Sequence, residues 1–137
     1  PPNMAHMVVG LEPLETLRIL KKFGNSETVF IANARPIYPL NVIAGDVEYP
    51  DLEWIRDVLD QSAGRLYWLD ATDTAVELGG PIMLNMILLG ALCSLSPFPL
   101  DTGDIETVLT AFLPESKLPA NIKALAMGAE LIHRYEN

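Results

Sequence analysis

Three short runs of consecutive apolar residues lie among segments in which apolar residues recur every three or four positions. The runs at 6–11, 28–33 and 64–70 predict β-strands. None of them alternates apolar with polar residues, and strands of this kind are typical of parallel sheets covered by helices on both faces. The pattern therefore predicts an α/β fold.

Helices are predicted between these strands and in all of the chain that follows them. Residues 82–95 are apolar on every side, which predicts a helix that is buried on most sides. Asp104 follows Asp101 by three residues, the spacing of a capping box. The predicted helices begin near Pro13, Asp51, Asp70 or Thr72, Pro81, Asp101 and Pro119.

This order of elements predicts a three-layer, Rossmann-like parallel sheet with a cluster of helices at its C-terminal end. A length of 137 residues predicts one domain, covering residues 1–137. Three strands make a thin sheet for so much helix, and the chain opens almost at once on a strand of buried character. We therefore expect an incomplete domain that lacks its first strand and helix.

The connection from Arg35 to Pro50 contains three prolines and a glycine, so it cannot be one regular element throughout. A connection this long within a domain is usually functional or forms an interface. Arg35 is its only cation, in otherwise apolar surroundings, and such an arginine often binds a carboxylate of a ligand or partner. We expect Arg35 and Tyr38 to contact a larger subunit or a second copy in a homodimer, with a purely structural role as the alternative.

Further candidate residues follow the predicted strands, where open α/β sheets bind ligands. These are Glu12, Asn33 and Asp70. Capping of the next helix is the alternative role for Glu12 and for Asp70. Asn85, on an otherwise apolar helix, is expected to hold a loop or to meet a partner subunit.

The charge of the chain argues against nucleic-acid binding, and one acidic segment has two possible roles. The net charge is -9 and no basic cluster occurs, so nucleic acid would be repelled. Six acidic residues between Asp46 and Asp60 face only Arg56, which indicates a solvated helix face or an acidic docking edge.

The sequence contains no motif for a cofactor and no stretch long enough to span a membrane. The single cysteine, Cys93, is predicted to be a core residue, and one cysteine forms no disulfide within the chain, as is usual in the cytoplasm. Neither a phosphate-binding glycine motif nor a set of cysteines for zinc or iron–sulfur clusters is present. The longest apolar stretch, 81–95, is too short to span a bilayer.

Several stretches occur in the order found in one family. Together they resemble the gamma-type domain of 2-oxoacid:ferredoxin oxidoreductases, and most closely the small subunit of the indolepyruvate type. The glycine-rich Gly-Gly-Gln-Gly turn at the start of that domain is absent. The matching stretches are Gly10 to Arg18, Asn33 to Ile37, Asp70 to Thr72, Asn85 to Leu92 and Asn121 to Leu125.

The resemblance implies an accessory role. Enzymes of this family decarboxylate a 2-oxoacid on thiamine diphosphate, pass electrons through iron–sulfur clusters to ferredoxin, and form an acyl-CoA. The resemblance implies that those cofactors belong to a larger partner subunit, and that this chain binds none of them and has no catalytic residue. It also implies that this chain shapes access for coenzyme A or substrate. The alternative is a self-contained Rossmann-like module with a small-molecule-binding or regulatory role.

Overall fold

The computed structural model describes residues 1–96 and 98–136. Strands and helices alternate in its first half, and helices alone follow. The elements are β1 (Met7–Gly10), α1 (Pro13–Phe23), β2 (Val29–Asn33), α2 (Leu40–Ile43), α3 (Leu52–Ser62), β3 (Arg65–Leu69), α4 (Ala71–Glu77), a 3-10 turn (Pro81–Met83), α5 (Leu84–Cys93), α6 (Thr102–Phe112) and α7 (Leu118–Glu136).

The three strands form one parallel sheet in the order β1-β2-β3. In the register of β1 on β2, Met7 lies opposite Val29 and Gly10 lies opposite Ala32. Each strand falls within one of the three apolar runs, and helices flank the sheet. The prediction of a parallel α/β fold is confirmed.

The chain divides into two compact units, which we call the first unit (Pro1–Trp68) and the second unit (Leu69–Asn137). In the first unit, helices α1 and α3 supply most of the apolar side chains that pack on the sheet. Leucine and isoleucine from the helices meet aromatic and aliphatic residues of the strands, as expected for amphipathic helices on a sheet. This core consists of Leu17, Leu20, Phe30, Ala32, Ile55, Leu59 and Leu66.

Local backbone chemistry explains where α1 and α3 begin. The carboxylate of Asp51 accepts a hydrogen bond of 2.9 Å from the backbone N–H of Trp54, which fixes the first turn of α3. Helix α1 has Pro13 at its first position and ends at Gly24, whose N–H donates to the carbonyl of Leu20. Both helices begin where the sequence predicts.

In the second unit, α5 and α7 are in direct backbone contact. A Cβ atom on Gly90 would lie 1.9 Å from the carbonyl oxygen of Leu125, and one on Gly128 would lie 1.8 Å from that of Ile87. Glycine at both positions lets the helices approach this closely. Their buried apolar side chains, among them Leu88 and Leu125, form the centre of this unit.

Two helices of the second unit differ from the prediction in extent or environment. The apolar run does not begin as an α-helix: Gly79 and Gly80 have positive φ, the 3-10 turn follows, and Ile82 is 81% exposed in that turn. The prediction of a buried helix from residue 82 onward is therefore wrong for the first residues of the run. Helix α6 has the predicted capping box, but none of its residues is buried and Phe112 is 83% exposed.

Candidate functional site

The turn after β1 is closed by a hydrogen bond that needs a glycine beside it. The Thr16 hydroxyl donates to the carbonyl oxygen of Glu12 at 2.7 Å, and this hydroxyl fills the space above Gly10. A Cβ atom on Gly10 would lie 1.7 Å from the Thr16 oxygen, so a larger residue would displace the threonine. The Gly-Leu-Glu-Pro sequence therefore specifies the passage from β1 into α1.

Glu12 is buried at this turn, and both of its carboxylate oxygens accept hydrogen bonds. One accepts from the backbone N–H of Glu15 at 2.8 Å, which caps α1. The other accepts from the hydroxyl of Tyr49. The capping role that was considered for Glu12 is confirmed, and the carboxylate is held inside the first unit.

Tyr49 completes this cluster, although it is not among the candidate residues predicted from the sequence. Its hydroxyl oxygen also accepts a hydrogen bond of 3.3 Å from the backbone N–H of Leu14. Burial, the hydrogen bond to Glu12 and the negative charge of that carboxylate raise the pKa of Tyr49. The hydroxyl therefore stays protonated at neutral pH. The sequence signal that could have identified Tyr49 is its position near the end of the Arg35–Pro50 connection, two residues before the helix cap Asp51.

Tyr38 reaches the same cluster through an aromatic contact. Its ring meets the ring of Tyr49 edge to face, with the centroids 5.2 Å apart and an angle of 89° between the planes. The structure thus brings Glu12 and Tyr38 together, with Tyr49 between them. Tyr38 remains half exposed.

Asn33 holds the end of β2 to the turn after β1. It is almost completely buried, and its side-chain amide donates a hydrogen bond of 3.0 Å to the carbonyl oxygen of Leu11. A buried amide with such a partner is typical of a residue that positions the backbone. Together with Glu12, it gives the carboxyl ends of β1 and β2 a polar cluster that is largely satisfied within the chain.

The segment from Arg35 to Pro50, which we call the arm, is mostly exposed. Arg35 itself is exposed, and its side chain or backbone still interacts with other residues. Helix α2 lies within the arm and has no buried residue. Leu40 is 84% exposed and Ile43 is 69% exposed. The arm therefore presents apolar side chains to solvent.

Asp70 and Asn85 lie in the second unit and are exposed. Asp70 stands at the cap position of α4, but its side chain makes no capping hydrogen bond, so the predicted capping role is wrong for this carboxylate. Asn85 lies in the first turn of α5, and within the described residues its side chain makes no hydrogen bond. The prediction that it holds a loop is wrong because its side chain points to solvent.

The chemistry available in the second unit is limited. Cys93 is buried, as predicted for a core residue. Burial, with the nearby carboxylates of Asp101 and Asp104, raises the pKa of the Cys93 thiol, which disfavours the reactive thiolate. Among residues 1–96 and 98–136, no three His, Cys, Asp or Glu side chains group to hold a metal ion.

No helix in the described part of the chain has the length and apolar character required to cross a membrane.

Two solved structures have a similar fold. The gamma subunit of keto/oxoacid ferredoxin oxidoreductase from Geobacter sulfurreducens matches with a TM-score of 0.64 and 16% identity, over 94% of this chain and 64% of that one. A pyruvate oxidoreductase subunit from Thermotoga maritima matches with a TM-score of 0.59 and 21% identity, over 93% and 64%. At these identities the likeness supports the fold.

Sequence comparison identifies more similar relatives. Indolepyruvate oxidoreductase subunit IorB of Pyrococcus horikoshii is 33% identical over 131 residues, which are 95% of this chain and 64% of that protein. Its counterpart in Methanothermobacter thermautotrophicus is 31% identical over 128 residues, 93% of this chain and 65% of that one. The chain therefore spans just under two thirds of the length of these relatives.

The family comparison covers almost the whole chain. Residues 1–131 match the family described as pyruvate ferredoxin/flavodoxin oxidoreductase. The match runs through both units and through all three strands. This chain belongs to the pyruvate ferredoxin/flavodoxin oxidoreductase family.

Proposed function

We propose that this chain is an accessory subunit of a 2-oxoacid:ferredoxin oxidoreductase that converts an indolepyruvate- or pyruvate-type 2-oxoacid into an acyl-CoA. The observation that carries the proposal is the family match over residues 1–131, together with relatives that are named as indolepyruvate oxidoreductase subunits. We also propose that both units form one family domain, since the match crosses them.

The donor atoms of this chain do not fit the redox cofactors that the family implies. An iron–sulfur cluster requires four thiolate ligands or a mixed set of cysteine and histidine. Residues 1–137 contain one cysteine, and it is buried with a raised pKa. Residues 1–137 therefore do not supply the ligands of a cluster, and we assign the clusters, and thiamine diphosphate by the family resemblance, to a larger partner subunit.

The polar cluster at the strand ends has a structural role in this proposal. Glu12 caps α1 and binds Tyr49, and Asn33 binds the backbone of Leu11. These groups are engaged inside the first unit, so we assign no catalytic step to them. Their role is to fix the turn after β1 and the base of the arm, which the partner subunit then meets.

A reconstitution assay tests the proposal. The full-length protein, the larger subunit and their mixture are each supplied with indolepyruvate or pyruvate, coenzyme A and a viologen dye as electron acceptor. We expect no turnover by this protein alone, and turnover by the mixture about tenfold or more above that of the larger subunit, because assembly completes the site. Turnover by this protein alone would contradict an accessory role.

Binding measurements separate this function from the alternative. If the protein does not associate with the larger subunit but binds a small molecule saturably, it is a self-contained binding or regulatory module.

We place the complex in the cytoplasm, supported by the single cysteine without a disulfide partner.

A further inference from the structure

The tip of the arm is an exposed apolar surface on a short helix. Helix α2 contributes Leu40 and Ile43, and Ile37 precedes it; all three are more than half exposed. No side chain of α2 is buried, so this helix gains little from packing within the chain. Exposed apolar side chains that form a contiguous surface usually mark a contact site, and the short spacing of these three along the chain favours such a surface.

The base of the arm is fixed, although the tip is exposed. Tyr49, near the end of the arm, is bound to Glu12 and Leu14 at the start of α1. Tyr38, near the beginning of the arm, packs against the ring of Tyr49. The two ends of the arm are thus joined to each other and to the core. A segment that is held in one conformation before binding loses less entropy when it binds.

The charged residues that follow the tip within the arm are both acidic. Between residues 36 and 50 the only charged residues are Asp46 and Glu48, and both are exposed. Within the described chain neither carboxylate forms an ion pair. Helix α3, which follows the arm in the chain, adds three exposed acids against the single cation Arg56. Asp46 and Glu48 therefore form an acidic border that follows the tip in the chain, and Arg35 at the start of the arm is the one cation of the arm.

We propose that the arm docks into an apolar groove bordered by lysine and arginine on the larger subunit of the complex, an inference that rests on the proposed function. The acidic border selects this partner over a second copy of the chain. Two arms facing each other would bring Asp46 and Glu48 of both copies together, and each chain has a net charge of -9. Like charges brought together disfavour an interface, whereas complementary charges increase the association rate.

The experiment measures association and dissociation rates between the full-length protein and the larger subunit at low and high salt. The charge variant is Asp46→Lys with Glu48→Lys. Its control is Glu77→Lys with Glu115→Lys, which changes the net charge equally at exposed acids of the second unit. We expect the charge variant to associate roughly tenfold more slowly at low salt and to lose most of the salt dependence. The control should change the rate less than about twofold.

A second pair of variants tests the apolar tip. Leu40→Ser with Ile43→Ser should increase the dissociation rate about tenfold or more, because central apolar contacts are lost. Val108→Ser with Phe112→Ser, on the exposed face of α6, is the control. The denaturation midpoint of the tip variant should equal that of the unmodified protein, since α2 has no buried residue.

The outcomes separate this inference from the proposed function. If the unmodified protein does not bind the larger subunit, the proposed function fails. If it binds, and the arm variants behave as their controls do, the function stands and the docking inference is overturned. A dimer of this protein alone, seen in sedimentation and abolished by the tip substitutions, would identify a second copy as the occupant and would also overturn it.

Discussion

The hydroxyl of Tyr49 donates a hydrogen bond to the carboxylate of Glu12, 37 residues earlier in the chain. This bond joins the end of the arm to the start of α1. The same hydroxyl accepts from the N–H of Leu14, so one oxygen serves two groups at the helix terminus. The base of the arm and the cap of α1 are therefore parts of one cluster.

Replacing Tyr49 with Phe should destabilise the protein by about 1–2 kcal/mol, because a largely buried carboxylate loses a hydrogen bond and the Leu14 N–H loses its acceptor. Urea denaturation followed by circular dichroism measures the change. Tyr38→Phe is the matched control, since within the described structure that hydroxyl makes no hydrogen bond. Equal stability of the two variants would show that the Tyr49 hydroxyl adds nothing.

The stabilisation by Tyr49 should also depend on pH. The unfolded tyrosine titrates near pH 10, and the pKa of Tyr49 is raised in the folded protein. As the pH rises above about 10, the unfolded state loses this proton before the folded state does, so the free energy of unfolding falls. The advantage of the unmodified protein over Tyr49→Phe should be constant up to about pH 9 and should shrink above about pH 10. An advantage that does not change across this range would contradict the assignment.

Replacing Gly90 with Ala should separate α5 from α7, since the added carbon would meet the Leu125 carbonyl. We expect a loss of at least about 2 kcal/mol, as for an overpacked core. Gly103→Ala, in the first turn of α6, is the control, because its nearest neighbour would be a side-chain oxygen of Asp101 at 3.1 Å. Thermal denaturation compares the two. A Gly90 variant as stable as the control would mean that the helices tolerate a wider spacing.

Replacing Arg35 and Tyr38 together with Ala should weaken assembly with the larger subunit by roughly 2 kcal/mol or more if both are central contacts. Titration calorimetry of the complex measures this loss. The helical signal of the protein alone should be nearly unchanged. Because Tyr38 also packs against Tyr49, the Arg35→Ala variant is needed to separate a contact at the interface from a loosened arm. Unaltered affinity of the double variant, or its unfolding, would contradict a role at the interface.

The elements that the sequence predicts well are those whose causes lie within a few residues. The cap of α3 joins Asp51 to Trp54, and the capping box of α6 joins Asp101 to Asp104, each across three residues. The strands are predicted equally well, because a run of apolar residues between turns fits a strand covered on both faces. Of the candidate site, Glu12 as a helix cap was predictable for the same reason.

The remaining features depend on which surfaces meet, and only the tertiary structure decides that. The apolar pattern of α6 predicts an amphipathic helix but does not state that Phe112 stays exposed. Likewise, the sequence shows a buried-type run from Ile82, whereas the turn after Gly80 leaves that residue in solvent. The bond from Tyr49 to Glu12 joins residues far apart in sequence. The sequence alone determines the strands, the starts of α1, α3 and α6, and the apolar arm, because these follow from local backbone chemistry and composition. Tertiary packing decides which polar groups are satisfied within the chain and which apolar groups remain for a partner.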